Sequence, residues 1–223
     1  MTWKLEENLR RKLQKEKGYY VFPPGARSRF ALVYPNSYHV GMSNLGLHII
    51  YDILNRRRDT ACERFFLPEK KEMAEYERTR TPLLSLETQT PLNEFSVVGF
   101  IVSFEMDYFH VLDILAAGRV PLIASDRGER DPIVVAGGPC ATFNPEPLAL
   151  FVDAFIIGEG EETIERFMDA FYAAIAKKCS RSELLRRLAG VPGVYVPSLY
   201  TPVYAETGEI TALQPAKGAP AQV

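Results

Sequence analysis

The stretch "IVVAGGPCATFNPEPLALFVDAFIIGEGEE", residues 133–162, decides the fold. It contains two short apolar runs, each followed by a turn that carries glycine, and the second turn leads into a segment with helical spacing of its apolar residues. Short apolar runs bounded by glycine are typical of parallel strands, because helices cover both faces of such a sheet. The stretch therefore predicts a unit of two strands and a helix within an α/β domain.

The same alternation of apolar runs and helical segments extends over most of the chain. It predicts five strands, at residues 29–34, 62–67, 97–103, 133–136 and 154–157. Helices with one apolar face are predicted between and after them, at residues 42–55, 108–117 and 161–177. We therefore expect a flavodoxin-like (Rossmann-type), doubly wound parallel sheet, in which ligands bind at the carboxyl ends of the strands.

Both ends of the chain carry additional elements. Leucines spaced four apart over residues 3–17 predict an amphipathic helix whose outer face is mildly basic, and "GYYVFPPGA" ends it. "SRSELLRRLAG" predicts a short capped helix, and the segment around "ETGE" predicts a hairpin. The expected division is a helix and connector at 1–27, the α/β domain at 28–178, and a helix, hairpin and linker at 179–223.

Composition limits the class of protein. The chain has 223 residues, 47% apolar content and a formal net charge of −2. It contains neither a run of about 18 uncharged apolar residues nor a signal peptide, so we expect a cytoplasmic protein that does not enter the membrane. The charge predicts no nucleic-acid footprint over the whole surface. A solvated face is the favoured interpretation of the basic helix, and docking of RNA or a protein partner is the alternative.

The cysteines do not form a recognisable pattern. Cys62, Cys140 and Cys179 are far apart and odd in number, which argues against a disulfide framework and against a zinc or iron–sulfur motif. We interpret them as small buried apolar residues.

Residue types at the predicted strand ends test the common ligands of this fold. A phosphoacceptor domain needs an Asp cluster where this chain has "YPNSYH" and "SFEMDY", and a flavin phosphate needs a loop richer in hydroxyl groups. A dinucleotide needs G-x-G-x-x-G, whereas residues 158–163 supply two glycines and three carboxylates. Cobalamin remains, because Gly137 and Gly138 would let a flat macrocycle approach the backbone.

Five segments together carry a resemblance to a known family: "YPNSYHVGMSNLGLHIIYDILNRR", "CERFFLP", "LLSLETQTPL", "VVGFIVSFEMDYFHVLDIL" and the opening stretch. Over about residues 20–200 the chain resembles the N-terminal cobalamin-binding-type domain of radical S-adenosylmethionine (SAM) proteins. The resemblance implies a downstream radical SAM domain in the same polypeptide as the partner of this domain.

That downstream domain would hold a [4Fe–4S] cluster through C-x-x-x-C-x-x-C and bind S-adenosylmethionine. No such cysteine spacing occurs in this chain. We therefore expect that the chain is not an enzyme by itself and that it is the N-terminal piece of a radical SAM enzyme. In the whole protein, a 5′-deoxyadenosyl radical would abstract a substrate hydrogen, and cobalamin would transfer a methyl group or steer the radical.

One motif departs from other cobalamin domains, which carry D-x-H-x-x-G after the first strand, with the His on cobalt and the Asp orienting it. Here Asn36 stands for the Asp, Tyr38 stands for the His, and Gly41 fits. The resemblance thus implies a cobalt without a protein ligand on its lower face, or a vestigial site. His39 lies one position away and is interpreted mainly as a surface or capping residue.

Two further histidines, His48 and His110, are interpreted as packing or solvent-facing residues. Asp107 is interpreted mainly as a helix cap, with contact to a ligand as the alternative. The expected cofactor-binding residues all lie at the ends of predicted strands or directly after them. They are Asn36, Ser37, Tyr38, His39, Gly41, Ser103, Phe104, Glu105, Gly137, Gly138, Pro139 and Gly158. The alternative is a degenerate domain of the same fold that binds no cobalamin and docks the radical core or a macromolecular substrate.

Overall fold

The computed structural model of the chain describes residues 3–221. Within them the main helices alternate with strands along most of the chain. The helices are α1 (Trp3–Leu13), α2 (Tyr38–Met42), α3 (Leu45–Arg56), α4 (Lys70–Thr79), α5 (Asp107–Ala117), α6 (Pro139–Phe143), α7 (Gly160–Ala176) and α8 (Arg181–Ala189). The strands are β1 (Ser28–Tyr34), β2 (Thr60–Phe66), β3 (Val97–Ile101), β4 (Ile133–Gly137), β5 (Ala154–Ile156), β6 (Val194–Tyr195), β7 (Tyr200–Tyr204) and β8 (Ile210–Pro215).

The central sheet has the strand order β2-β1-β3-β4-β5-β6. Strands β1 to β5 are parallel, in the flavodoxin-like order, so the predicted fold class and its five strands are confirmed. The additional strand β6 runs antiparallel to β5, with Phe155 opposite Tyr195 and Ile156 opposite Val194. A two-residue strand is too short to show periodicity in the sequence, which is why it was not predicted.

Two apolar clusters cover the two faces of the sheet. Phe30 and Leu32 of β1 face the cluster formed with α3, α7 and α8, whereas Ala31 and Val33 face the one formed with α1, α4 and α5. This alternation follows from the two-residue period of a strand. Because α3 follows β1 and α7 follows β5, and these strands are parallel, both helices begin at the carboxyl edge of the sheet.

The helix predicted over residues 42–55 is confirmed as α3, which begins at Leu45 and is preceded by the separate short helix α2. Helix α2 ends at Met42, and Asn44 then caps α3, with its Oδ1 accepting from the backbone N–H of Leu47 at 2.9 Å. Asn competes for backbone hydrogen bonds inside a helix and favours its start, so the break is local in origin. The helix begun by Ser180 and the hairpin of β7 and β8 are confirmed.

The N-terminal segment packs against the α/β domain. Leu5 and Leu13 of α1 are buried in the core, and Glu16 lies 2.8 Å from the guanidinium of Arg64. The three-part division at residues 27 and 178 stays a prediction, and its outermost residues, 1–2 and 222–223, lie outside the described part. Among the described helices, none combines the length and apolar character needed to cross a membrane.

Candidate functional site

A cavity of about 490 Å³ opens at the carboxyl edge of the sheet, between α3 and α7. This volume lies within the range of small-molecule and cofactor sites. Ile50 of α3 and Ile164 of α7 line it from above. Its floor consists of side chains and backbone from four neighbouring strands, namely Phe30, Leu32, Gly99, Ile101, Val135, Gly137 and Ile156. The site is therefore a largely apolar groove along one face of the sheet.

Two glycines keep the floor of this groove low. Gly99 lies inside β3, where a β carbon would come within 2.6 Å of the Phe30 ring. Glycine inside a strand marks such close approaches, and here it lets the Phe30 ring lie across the neighbouring strand. At the end of β4, a β carbon on Gly137 would meet Ile156 at an ordinary 3.6 Å. A side chain at position 137 would thus fit the backbone but occupy the groove.

Gly138 and Gly158 are glycines for backbone reasons. Gly138 has φ +101° and lies against the Val102 backbone, while Gly158 has φ +86° in the turn before α7. Residues other than glycine rarely adopt such φ values. Both residues also line the groove, together with Pro139 at the start of α6.

The mouth of the groove carries a few polar groups. The hydroxyl of Ser103 makes no hydrogen bond within residues 3–221, whereas that of Thr142 accepts from the Gly158 N–H at 3.1 Å. Glu159 and Glu161 add carboxylates where α7 begins. Carboxylates suit the N-terminus of a helix but repel a terminal phosphate. The mouth is therefore better suited to an uncharged or cationic group than to a phosphate terminus.

Five of the twelve predicted residues line the groove: Ser103, Gly137, Gly138, Pro139 and Gly158. The other seven, which lie in the loops after β1 and β3, are absent from its lining. They are Asn36, Ser37, Tyr38, His39, Gly41, Phe104 and Glu105. The structure thus brings the turns after β4 and β5 to the groove but leaves residues 36–41 of the connection after β1 outside its lining.

Tyr38, at the His position of D-x-H-x-x-G, is held by contacts within the chain. Its hydroxyl donates to Glu16 Oε1 at 2.8 Å, and burial together with this carboxylate raises the pKa of Tyr38 to about 12. Gly41 is buried, and a β carbon there would lie 2.5 Å from the Phe66 ring. Both residues fix α2 against β2, whereas His39 is exposed.

Several large apolar side chains at the carboxyl edge of the sheet are exposed. They lie on the connections that follow β1, β3 and β4 and are Leu45, Phe104, Met106, Phe109 and Phe143. Phe143 lines the groove and is 87% exposed. Exposed apolar surface of this kind marks interaction sites in folded proteins. We call these five residues the apolar rim.

Sequence reasoning missed the apolar lining of the groove. Phe30, Leu32, Ile50 and Ile164 lie within predicted strands and helices, where a groove-lining side chain and a core side chain have the same periodicity. The available signal was Gly99 within a strand of large residues, which indicated a thinned position but not its depth.

The fold and the groove together define a flavodoxin-like domain with a ligand-sized site at the carboxyl edge of its sheet. The sequence profile of the family described as "Radical SAM proteins, N-terminal" matches residues 46–197, and the chain belongs to this family.

The chain is also 30% identical over 131 residues to the uncharacterized protein MJ0966 of Methanocaldococcus jannaschii. The match covers 59% of this chain and 24% of that protein, so the chain spans about a quarter of the length of this relative. No solved structure matches the chain significantly.

Proposed function

We propose that this domain binds cobalamin as part of a radical SAM iron–sulfur enzyme, with the nucleotide tail of the cofactor in the groove and its corrin ring on the apolar rim. The observation that carries this proposal is the groove itself. It is apolar and runs along the sheet face between α3 and α7. Its floor is low where the Phe30 ring lies over Gly99 and where Gly137 carries no side chain, so a flat base could lie on it.

The residues present fit this group in shape and polarity. An aromatic base needs apolar walls, which Leu32, Ile50 and Ile164 supply. The Ser103 hydroxyl, which makes no hydrogen bond within residues 3–221, and the backbone of the Gly137–Pro139 turn would form hydrogen bonds with the amide side chains of a corrin. Cobalamin would supply the methyl-transfer or radical-steering chemistry, and this chain's own residues would hold and orient it.

The whole protein extends this proposal. Membership of the family supports a radical SAM domain elsewhere in the same polypeptide, with a [4Fe–4S] cluster and S-adenosylmethionine of its own. The apolar rim would be the surface that meets that domain, since five large apolar side chains are exposed there. The substrate would then lie between the two domains.

An anaerobic titration of the purified chain with hydroxocobalamin, followed by desalting, tests the binding proposal. We expect about one cobalamin per chain, with a spectrum that shows the nucleotide base displaced from cobalt. Gly137→Leu should lower retention at least tenfold, because its side chain would occupy the groove while position 137 tolerates a β carbon.

The matched control is Gly128→Leu, which makes the same change in an exposed turn remote from the groove and should retain cobalamin normally. Loss of all cobalamin from the unmodified chain on desalting would reject the proposal. Equal retention by Gly137→Leu and the unmodified chain would place the ligand elsewhere.

The apolar rim favours a second candidate function, in which the domain holds no cobalamin and only docks the radical domain. The two functions differ in one outcome of the same titration. A docking domain would retain no cobalamin, whereas its rim would still be covered in the whole protein.

A further inference from the structure

A polar cluster that the groove does not use lies between the loop after β1 and the start of α5. His110 Nδ1 lies 2.9 Å from the Pro35 carbonyl oxygen and 3.2 Å from Asp107 Oδ1. The same Asp107 oxygen accepts from Asn36 Nδ2 at 2.9 Å. Asn36 is the residue that replaces the Asp of D-x-H-x-x-G, so this loop contacts an Asp–His pair from another element.

The carboxylate of Asp107 is held in an unusual way for a helix cap. Its side chain is 1% exposed, and its Oδ2 has no hydrogen-bond partner within the described residues. It makes no capping bond to the backbone of α5, contrary to the interpretation of Asp107 as a cap. A buried carboxylate oxygen without a partner is costly, and the positive N-terminal end of α5 and the imidazole beside it are the groups that stabilise it.

The contacts of His110 fix which ring nitrogen is available. The Pro35 carbonyl can only accept, so Nδ1 carries the proton, and the lone pair of the neutral ring is on Nε2. Nε2 has no partner in the described part of the chain, and the side chain is about one-third exposed. Side chains on a helix lean toward its N-terminus, which for α5 is the carboxyl edge of the sheet.

An imidazole whose Nδ1–H is donated to a carbonyl and a carboxylate is the usual arrangement of a metal-binding His. We infer that His110, oriented by Asp107 and Pro35, is the protein ligand to the cobalt of a cofactor bound at this edge, in place of the His of D-x-H-x-x-G, whose position Tyr38 occupies. A metal that four macrocycle nitrogens already hold needs only one further ligand, so a single imidazole suffices. This inference rests on the proposed binding of cobalamin.

The test is the electron paramagnetic resonance spectrum of the chain loaded anaerobically with cobalamin and reduced to the cobalt(II) state. A nitrogen ligand on the axis splits each cobalt line into a triplet when it is ¹⁴N and into a doublet when it is ¹⁵N. We expect a triplet with unlabelled protein and a doublet with uniformly ¹⁵N-labelled protein, because unlabelled cobalamin brings only ¹⁴N. The label thus distinguishes a protein ligand from the cofactor's own base.

Variants identify the residue. His110→Asn keeps a donor near the Pro35 carbonyl but has no counterpart of Nε2, so it should lose the protein-derived splitting while the chain stays folded by circular dichroism and retains cobalamin. His39→Ala and His48→Ala, the chain's other two histidines, are the matched controls and should keep the splitting.

Failure has two separate signatures. Cobalamin lost on desalting overturns the binding proposal and this inference together. Retained cobalamin whose splitting does not respond to ¹⁵N labelling, or responds but survives in His110→Asn, overturns the assignment of His110 alone and leaves the Asp107–His110 pair as a structural link between α5 and the loop after β1.

Discussion

Gly138 lies directly against the backbone of Val102, so that a β carbon on Gly138 would be 2.8 Å from the Val102 carbonyl oxygen. Two backbone hydrogen bonds stabilise the same contact. The Val102 N–H donates to Gly137 O at 2.8 Å, and the Cys140 N–H donates to Val102 O at 3.3 Å. The turn after β4 is thereby fixed to the turn after β3, and both reach the mouth of the groove.

Neighbouring glycines in this turn should therefore respond differently to alanine. Gly138→Ala combines a φ of +101° with a backbone clash and should lower the free energy of unfolding by about 2–4 kcal/mol. Gly137→Ala meets only ordinary contacts and should change it by less than about 1 kcal/mol. Urea denaturation of both variants measures the difference, and equal effects would contradict the structure of the turn.

Removing one partner of the buried ion pair between Arg64 and Glu87 should destabilise the fold strongly. Glu87 accepts from Arg64 Nε and from the Arg64 backbone N–H, both at 2.7 Å, and both side chains are at most 2% exposed. Glu87→Ala leaves a buried guanidinium with less compensation and should cost about 3–5 kcal/mol. In the control Glu162→Ala, which breaks the exposed pair with Arg166, the denaturation midpoint should barely move.

Alkaline pH should test the contact between Tyr38 and Glu16. The pKa of Tyr38 is raised to about 12 in the folded chain, so the folded state binds this proton more tightly than the unfolded state, whose tyrosines titrate near about 10. The resulting stability is fully present below about pH 10 and is lost as the pH rises toward 12. Between about pH 10 and pH 12, the free energy of unfolding measured by urea denaturation should therefore fall less in Tyr38→Phe than in the unmodified chain. If the free energies of the two proteins fell in parallel with pH, the contact between Tyr38 and Glu16 would be contradicted.

The apolar rim should be covered in the whole protein. Phe143 is 87% exposed here, so hydroxyl-radical footprinting should modify it readily in this chain and much less in the complete polypeptide. The control is Ile175, which is half exposed near the C-terminus of α7 and should be modified both in this chain and in the complete polypeptide. Unchanged modification of Phe143 would mean that the rim does not contact the rest of the protein.

Local sequence was sufficient for the fold class because its signals are local. Apolar runs such as those of β1 and β4 are too short for a typical helix and are bounded by turn residues, which indicates buried strands, and the intervening helices each have one apolar face. The capping Ser180 and the turn residues of the β7–β8 hairpin likewise act within a few positions of themselves. The edge strand β6 escaped prediction because its pairing with β5, and not its two residues, makes it a strand.

The features of the candidate site likewise separate into those that local sequence predicts and those that depend on tertiary contacts. The sequence by itself determined that glycine turns follow β4 and β5 and that Asn36 and Tyr38 replace an Asp and a His. Only the tertiary structure decided that Gly99 and Phe30 open a groove across the strands, that Tyr38 is bound by Glu16, and that His110 and Asp107 meet the loop after β1. These contacts join residues from separate elements, and periodicity along one element carries no information about which side chain of another element it will meet.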